Sequence, residues 1–180
     1  MADTSDSGFY ITAGIGTGLE HDIDGSIEGN DFSATGRTTF SGGIGFGYEL
    51  DSNVRVEAGV SRSTGDVDSI TIDGIKYDVD ESGNNTNFSV AVAYDFENDS
   101  RITPFISGSY GIRWSEDADE SSNLFGIDVG VSTPVSDDLE LWGAIGMGIT
   151  QDETHDIDGD SIKTDGTTAW GFSTGLRIRL

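Results

Sequence analysis

The chain of 180 residues has no cysteine, only 2 prolines and only 9 basic residues. The lack of cysteine excludes disulfide bonds, thiolate zinc sites and cysteine nucleophiles, so the fold must be stable without covalent cross-links. The 33 acidic residues bring the formal net charge to -24, and a protein surface of this sign repels nucleic acid. We therefore expect no nucleic-acid partner.

Long apolar runs are also missing, and no stretch approaches the roughly 18 residues that a membrane-spanning helix needs. A transmembrane β-barrel is still open, because only alternate residues of its strands face lipid. Met1-Ala2-Asp3 leads into polar residues rather than into a basic start and an apolar stretch, so we expect a mature chain without an export signal. No linker divides the chain, which predicts one domain over 1–180 with a flexible N-terminus at 1–7.

Apolar residues alternate with small or polar ones along most of the chain. In the first such segment Phe9, Ile11 and Ile15 share one parity, and Gly14 and Gly16 share the other. Period-two alternation predicts strands with one apolar face. The predicted strands lie at roughly 8–20, 37–50, 54–64, 86–96, 102–115, 123–133, 139–150 and 168–180.

The connections between these strands alternate between short and long. Turns are predicted at 51–53, 97–101 and 136–138, and loops at about 20–36, 63–86, 115–122 and 151–167. Within the second loop, Ile72-Asp73-Gly74-Ile75 predicts a hairpin turn that lengthens the third and fourth strands. This asymmetry is typical of outer-membrane barrels. The prediction is an all-β fold: an eight-stranded antiparallel up-and-down transmembrane β-barrel with short periplasmic turns and long extracellular loops.

The non-apolar parity indicates which face meets lipid. It consists of glycine, serine, threonine and alanine with a few charges, which suits a narrow barrel interior. Aromatic residues of the apolar parity lie near strand ends, where a membrane-interface girdle belongs. They are Phe9, Tyr48, Tyr94, Phe96, Trp114 and Trp170. The alternative is a soluble ligand-binding barrel of the lipocalin or avidin kind, with the apolar parity inside.

Charged residues on the inward parity are nearly balanced in sign. They are Glu49, Arg55, Glu57, Asp95, Arg113, Asp128, Glu140, Arg177 and Arg179. Charges in a narrow lumen are costly unless paired, so we expect a network of ion pairs that plugs the barrel. A gated ion path is the alternative.

The two long loops at 20–36 and 151–167 contain similar phrases, His21-Asp22-Ile23-Asp24-Gly25 and His155-Asp156-Ile157-Asp158-Gly159. They become neighbours if the last strand pairs with the first. Carboxylates at this spacing could hold a hard cation such as Ca2+ or Mg2+, loosely bound. The candidate ligands are Asp22, Asp24, Asp156, Asp158 and Asp160. Solvated Asp-Gly turns are the alternative.

The sequence offers no catalytic constellation. Both histidines fall in predicted loops, away from a serine or aspartate partner on a strand. Gly14-Ile15-Gly16-Thr17-Gly18 has the spacing of a dinucleotide loop, but no helix follows it. We expect no enzyme and no resident cofactor.

The segments Thr103-Pro104-Phe105-Ile106-Ser107-Gly108-Ser109-Tyr110-Gly111 and Val54-Arg55-Val56-Glu57-Ala58-Gly59 carry a family resemblance. They resemble the small outer-membrane barrels: the OmpA transmembrane domain, the OmpX/Ail group and the opacity-type proteins. The ending Gly175-Leu176-Arg177-Ile178-Arg179-Leu180 looks like the C-terminal signal read by the barrel insertion machinery, with leucine where the family usually has phenylalanine.

The resemblance implies a monomer in the bacterial outer membrane, surrounded by lipid and lipopolysaccharide and inserted through its C-terminal strand. It implies a structural or surface-interaction role, adhesion-like, acting through the acidic extracellular loops. The extracellular partner is not identified by the sequence. A small porin-like channel for ions or small solutes is the first alternative, and a soluble ligand-binding barrel is the second.

Overall fold

The computed structural model describes residues 8–19, 21–27, 30–36, 38–50, 52–72, 75–115, 121–151, 153–157 and 160–180. The predicted flexible N-terminus, 1–7, lies outside them. The described chain forms twelve β-strands. They are β1 (Gly8–Gly18), β2 (His21–Ile27), β3 (Asn30–Gly36), β4 (Thr39–Glu49), β5 (Val54–Ile72), β6 (Ile75–Asp95), β7 (Thr103–Ser115), β8 (Ser121–Pro134), β9 (Leu139–Thr150), β10 (Glu153–Ile157), β11 (Asp160–Thr164) and β12 (Thr168–Arg179).

Eight of these strands close into an antiparallel barrel in the order β1-β4-β5-β6-β7-β8-β9-β12. The first and last strands complete the ring, with Tyr10 opposite Arg179 and Gly18 opposite Gly171. No helix among the described residues has the length and apolar composition that a membrane crossing needs. The predicted fold class is confirmed.

The alternation of the sequence becomes an alternation of exposure around the barrel. Outward side chains are large, apolar and exposed, as at Ile15, Ile44 and Val90, while inward ones are small or polar and more buried. Ile44, in the middle of β4, is 64% exposed. An apolar belt that is open to the surroundings on every strand is stable only against lipid. This excludes the alternative of a soluble barrel with an apolar cavity.

Short turns join the strands at the end of the barrel where β1 begins and β12 ends. Asn53 has a positive φ of 61, a conformation that asparagine tolerates better than most residues. In the next turn the Asn98 side chain accepts a hydrogen bond from the Ser100 backbone N–H at 2.7 Å and donates to the carbonyls of Phe96 and Ile102. Side-chain bonds of this kind replace the missing ladder bonds.

The long connections differ most from the prediction, because much of their length is β-structure. Residues 20–36 and 151–167 contain the hairpins β2-β3 and β10-β11, whereas the sequence analysis placed loops there. β5 and β6 run well past the predicted ends at 64 and 86. The hairpin predicted at 72–75 is confirmed, since Ile72 pairs with Ile75. Threonine, isoleucine and serine in these segments favour extended backbone, and pairing satisfies its polar groups.

These additional strands form one continuous sheet beyond the long-connection end of the barrel. Its order is β10-β11-β2-β3-β5-β6. β3 pairs with the distal half of β5, where Phe32 lies opposite Ile72. We call β2, β3, β10, β11 and residues 65–83 of β5 and β6 the extracellular sheet.

Candidate functional site

A buried ion pair lies in the lumen near the short-turn end. Arg55 follows the first residue of β5, and Asp95 is the last residue of β6. The guanidinium donates two hydrogen bonds to the carboxylate, from Nε to Oδ2 at 2.6 Å and from Nη2 to Oδ1 at 2.8 Å. The side chains are only 5% and 13% exposed. A bidentate geometry of this kind offsets the cost of burying both charges.

A second ion pair lies on the opposite side of the lumen from the first, and its partners are on two other neighbouring strands. Arg177 on β12 is opposite Glu140 on β9 in the strand register, and Arg177 Nη1 donates to Glu140 Oε1. The Arg177 Cζ lies 5.1 Å from the centroid of the Tyr10 ring. Tyr10 is fully buried, and its hydroxyl donates to Glu57 Oε2 at 3.1 Å. The ion pair, the cation-π contact and the hydrogen bond therefore lie at the same height along the barrel axis.

Phe105 completes this level, because its ring centroid lies 5.3 Å from the Arg55 Cζ. We call the connected residues the lumen floor. They are Tyr10, Arg55, Glu57, Asp95, Phe105, Glu140 and Arg177. They come from six strands and lie near the short turns. Side chains that are both large and paired leave little room for solute there.

The aromatic residues of the lumen lie against glycines on the neighbouring strands. Tyr10 is opposite Gly47, and a Cβ on that glycine would overlap the tyrosine ring. Phe105 stands in the same relation to Gly130. Trp142 is opposite Gly175, where an added Cβ would lie 2.7 Å from Trp142 Cζ2. Each large ring is therefore accommodated by the absence of a side chain on the facing residue.

A cavity of about 210 Å³ lies next to the lumen floor. Seven of its fifteen lining residues are serine or alanine, five belong to the lumen floor, and Thr12, Trp142 and Asp128 complete the wall. Ser107 donates a hydrogen bond to Asp128 Oδ2 at 3.2 Å. A second cavity of about 190 Å³ shares Thr12, Glu57 and Trp142 with the first and continues along the glycine-rich wall of β1 and β4.

The predicted lumen charges divide into three groups in the structure. Arg55, Glu57, Asp95, Glu140 and Arg177 meet in the lumen floor, as described above. Glu49 and Arg179 form a looser pair at the rim, with 3.4 Å between Oε2 and Nη2. Arg113 lies higher, where its Nε donates to Asn87 Oδ1 at 3.3 Å, and Asp128 lies at the cavity. The sequence analysis missed Tyr10, Phe105 and Trp142, whose inward parity could have identified them.

The predicted girdle residues lie on the outer face at the ends of the spans. Phe9, Tyr48, Tyr94 and Phe96 are at the short-turn end, where Phe9 and Tyr48 make an edge-to-face contact with centroids 4.8 Å apart and Tyr94 meets Phe96 edge-to-face at 5.1 Å. Trp114 and Trp170 lie towards the other end and are exposed. All but Tyr48, which is half-buried, are open to lipid.

The structure brings the two predicted cation-binding segments together without describing a site. β11 pairs with β2, so that Thr164 lies opposite Gly25, and the Asp165 N–H donates to the Asp24 carbonyl at 2.8 Å. The two segments are therefore neighbours, as predicted. Asp24 has an exposed side chain. The side chains of Asp22, Asp156 and Asp160, and the whole of Asp158, lie outside the described part of the chain.

No group of three or more potential metal ligands occurs among the residues that the structure describes. Cation binding therefore stays a prediction. The two histidines are placed differently from the prediction, since His21 begins β2 and His155 lies in β10. They lie on strands because the loops that hold them pair into hairpins.

A closed antiparallel barrel with an apolar belt outside and ion pairs inside defines a transmembrane β-barrel of the bacterial outer membrane. The chain belongs to the family described as outer membrane protein beta-barrel domain, whose model matches residues 1–116. Its short turns are therefore periplasmic, and the extracellular sheet is at the cell surface.

Solved structures with the same fold include three small outer-membrane proteins. Neisserial surface protein A is 18% identical with a TM-score of 0.58, covering 96% of this chain and 97% of that chain. OprG from Pseudomonas aeruginosa is 12% identical with a TM-score of 0.71, covering 96% of each chain. AlkL is 13% identical with a TM-score of 0.54, covering 100% of this chain and 93% of that chain. A search of curated proteins finds no match.

Proposed function

We propose that this barrel is a non-enzymatic surface-interaction protein and that the extracellular sheet is its binding part. The observation that carries the proposal is the continuation of β5 and β6 past the membrane belt, together with the pairing of β5 with β3. Flexible loops would be enough for a protein that acts only as a membrane span. A paired sheet presents side chains in fixed positions, which lowers the entropy cost of binding a partner.

The lumen supports this proposal over a channel. The lumen floor joins two buried ion pairs and two aromatic rings at the periplasmic end. Moving these groups aside would separate charges in a low-dielectric interior. The spans then serve to anchor and orient the sheet. The positions of His21 and His155, outside the spans, support a role without catalysis.

The remaining partners in this proposal follow from the outer face and the last strand. Lipid and lipopolysaccharide surround the apolar belt, and the barrel insertion machinery recognises β12. The chain acts as a monomer, because its sheet closes on itself and leaves no edge within the membrane. Ca2+ or Mg2+ binds loosely to the acidic extracellular sheet.

The test replaces the hairpins of the extracellular sheet while keeping the spans. In one variant short turns replace residues 20–38 and 151–167 and close the β5-β6 hairpin near residues 64 and 85. Displayed on a bacterial host, the full chain is expected to increase attachment to a host-cell or matrix-coated surface. The variant is expected to lose this effect and yet keep its heat-dependent gel mobility. Equal attachment by correctly folded full chain and variant would contradict the proposal.

A small channel is the second candidate, supported by the two adjoining lumen cavities. It predicts single-channel conductance in planar bilayers that changes in the variants Glu57→Gln and Arg113→Gln. The surface-interaction proposal predicts silent bilayers from protein whose gel mobility shows correct folding. Glu97→Gln, at an exposed periplasmic turn, is the matched control.

A further inference from the structure

One edge of the extracellular sheet has no neighbouring strand among the residues that the structure describes. From Ile75 to Gly83, β6 pairs with β5 on one side, and the first residue that pairs with β7 is Asn85. Among the strands that the structure describes, none pairs with the other side of residues 75–83. Such an edge presents backbone N–H and C=O groups in the pattern that another strand can bind.

The end of this edge exposes apolar side chains far from the membrane belt. Ile75 is 58% exposed and Tyr77 is 52% exposed. On the outward side of β5, Val60 is the last apolar residue of the belt. The next residues on that side are Arg62 and Thr64, which are also exposed. A polar zone therefore separates Ile75 and Tyr77 from the belt. Lipid does not account for their exposure, and exposed apolar residues of this kind commonly mark interaction sites.

The surroundings of these two residues are acidic. Residues 64–85 contain six acidic residues and one basic residue, Lys76. Asp78 on β6 and Asp31 on β3 are exposed. A partner with positive charge is attracted to such a surface, and an acidic partner is repelled.

We propose that residues 75–83 of β6 bind an extended basic segment of a partner polypeptide as an additional strand. Backbone hydrogen bonds along the open edge supply affinity. Apolar side chains of the segment pack beside Ile75 and Tyr77, and its lysines or arginines face Asp78. This inference rests on the proposed surface-interaction function and names the class of partner.

Charge distinguishes this occupant from a second copy of the chain. A copy that paired through the same edge would bring Asp78 close to the Asp78 of the other copy. Like charges on paired strands are destabilising, so self-pairing is disfavoured.

The test uses the full chain in lipid nanodiscs and a short peptide of alternating lysine and valine as the probe. A second peptide has the same sequence with N-methyl groups on alternate residues, which keeps the charge and removes backbone donors. We expect the N-methylated peptide to bind at least about tenfold more weakly. Equal affinity would show charge attraction alone and would overturn the proposal.

Two variants locate the binding on the chain. Tyr77→Ser removes the exposed ring, and Asp78→Asn removes one charge; each is expected to weaken binding of the unmodified peptide about tenfold. Asp137→Asn removes the same charge from an exposed periplasmic turn and is the matched control, with unchanged affinity. Wild-type affinity in both Tyr77→Ser and Asp78→Asn, or self-association that Tyr77→Ser abolishes, would overturn the proposal.

Failure of this inference is distinguishable from failure of the proposed function. If the display experiment shows attachment that Tyr77→Ser and Asp78→Asn leave intact, the open edge is not the binding surface, although the surface-interaction function stands. If the hairpin variant attaches as well as the full chain, the function itself fails.

Discussion

At the scale of single residues, the lumen depends on matched pairs of a large ring and a glycine. Tyr10 with Gly47, Phe105 with Gly130 and Trp142 with Gly175 each occupy facing positions on neighbouring strands. The rings fill the space that the glycines leave. Glycine at these positions is therefore required for packing rather than for backbone freedom.

Gly47→Ala tests this requirement. Its added methyl group would overlap the buried Tyr10 ring, and overpacking of this kind costs about 1–3 kcal/mol. We expect a lower free energy of unfolding in urea titrations of the protein in micelles. Gly108→Ala is the matched control, because an added Cβ there meets nothing within 4 Å. Equal stability of both variants would mean that Tyr10 relocates freely.

The ion pairs of the lumen differ in burial. Removing them should therefore lower the free energy of unfolding by different amounts. Arg55→Ala leaves Asp95 as an unpaired charge in the lumen floor, which we expect to cost about 3–5 kcal/mol of unfolding free energy. Arg179 is 49% exposed at the rim, so Arg179→Ala should cost at most about 1 kcal/mol. Urea unfolding of both variants in the same micelles provides the measurement. Costs of similar size would show that water reaches the Arg55 pair.

Inward parity was readable from the sequence for every lumen charge, but partner identity was not. Arg55 and Asp95 are 40 residues apart in the chain, and only the register of β5 and β6 brings them together. The facing of Tyr10 and Gly47 depends equally on register. A pattern of alternation fixes which face a residue occupies and leaves its height along the barrel open.

At the scale of whole strands, the same β5-β6 hairpin has two environments. Below Val60 and Phe88 its outward side chains are apolar and face lipid, and beyond them they are polar or charged until the hairpin tip. A strand can continue from lipid into water because its backbone bonds are satisfied by its neighbours in both.

Lysine substitutions should separate these environments. Ile44→Lys places a charge in the middle of the lipid-facing belt and is expected to cost about 2–4 kcal/mol of folding free energy. Ile75→Lys, at a similarly exposed residue of the extracellular sheet, should leave folding unchanged. The folded fraction in lipid vesicles, scored by gel mobility without boiling, measures both. A large loss in Ile75→Lys would place the sheet tip in the membrane.

The spans were predictable because lipid imposes strict alternation on them, and the extracellular sheet was not. β2 reads His21-Asp22-Ile23-Asp24-Gly25-Ser26-Ile27, where charged residues and glycine favour a turn as much as a strand. It pairs with β3 as a local hairpin, whereas its pairing with β11 comes from the closure of the barrel, which brings distant connections side by side. Tertiary pairing of this kind overrides local propensity.

At the scale of the whole molecule, the net charge of -24 should make stability depend on salt. Carboxylates crowded on one sheet repel each other, and raising the ionic strength from about 0.01 M to 0.15 M shortens the screening length from about 30 Å to about 8 Å. We expect the midpoint temperature of unfolding in non-ionic detergent to rise with sodium chloride over this range. A midpoint that falls would show that exposed ion pairs outweigh the repulsion.

The pairing of β1 with β12, which closes the barrel, restricts how far the chain can fold before it reaches the membrane. Tyr10 cannot pair with Arg179 until the chain has been synthesised through β12, so no shorter length of chain can close the barrel. Every lipid-facing residue is exposed to water during export. A mean hydropathy of -0.28 and the self-repulsion of a strongly acidic chain oppose its aggregation before the barrel closes.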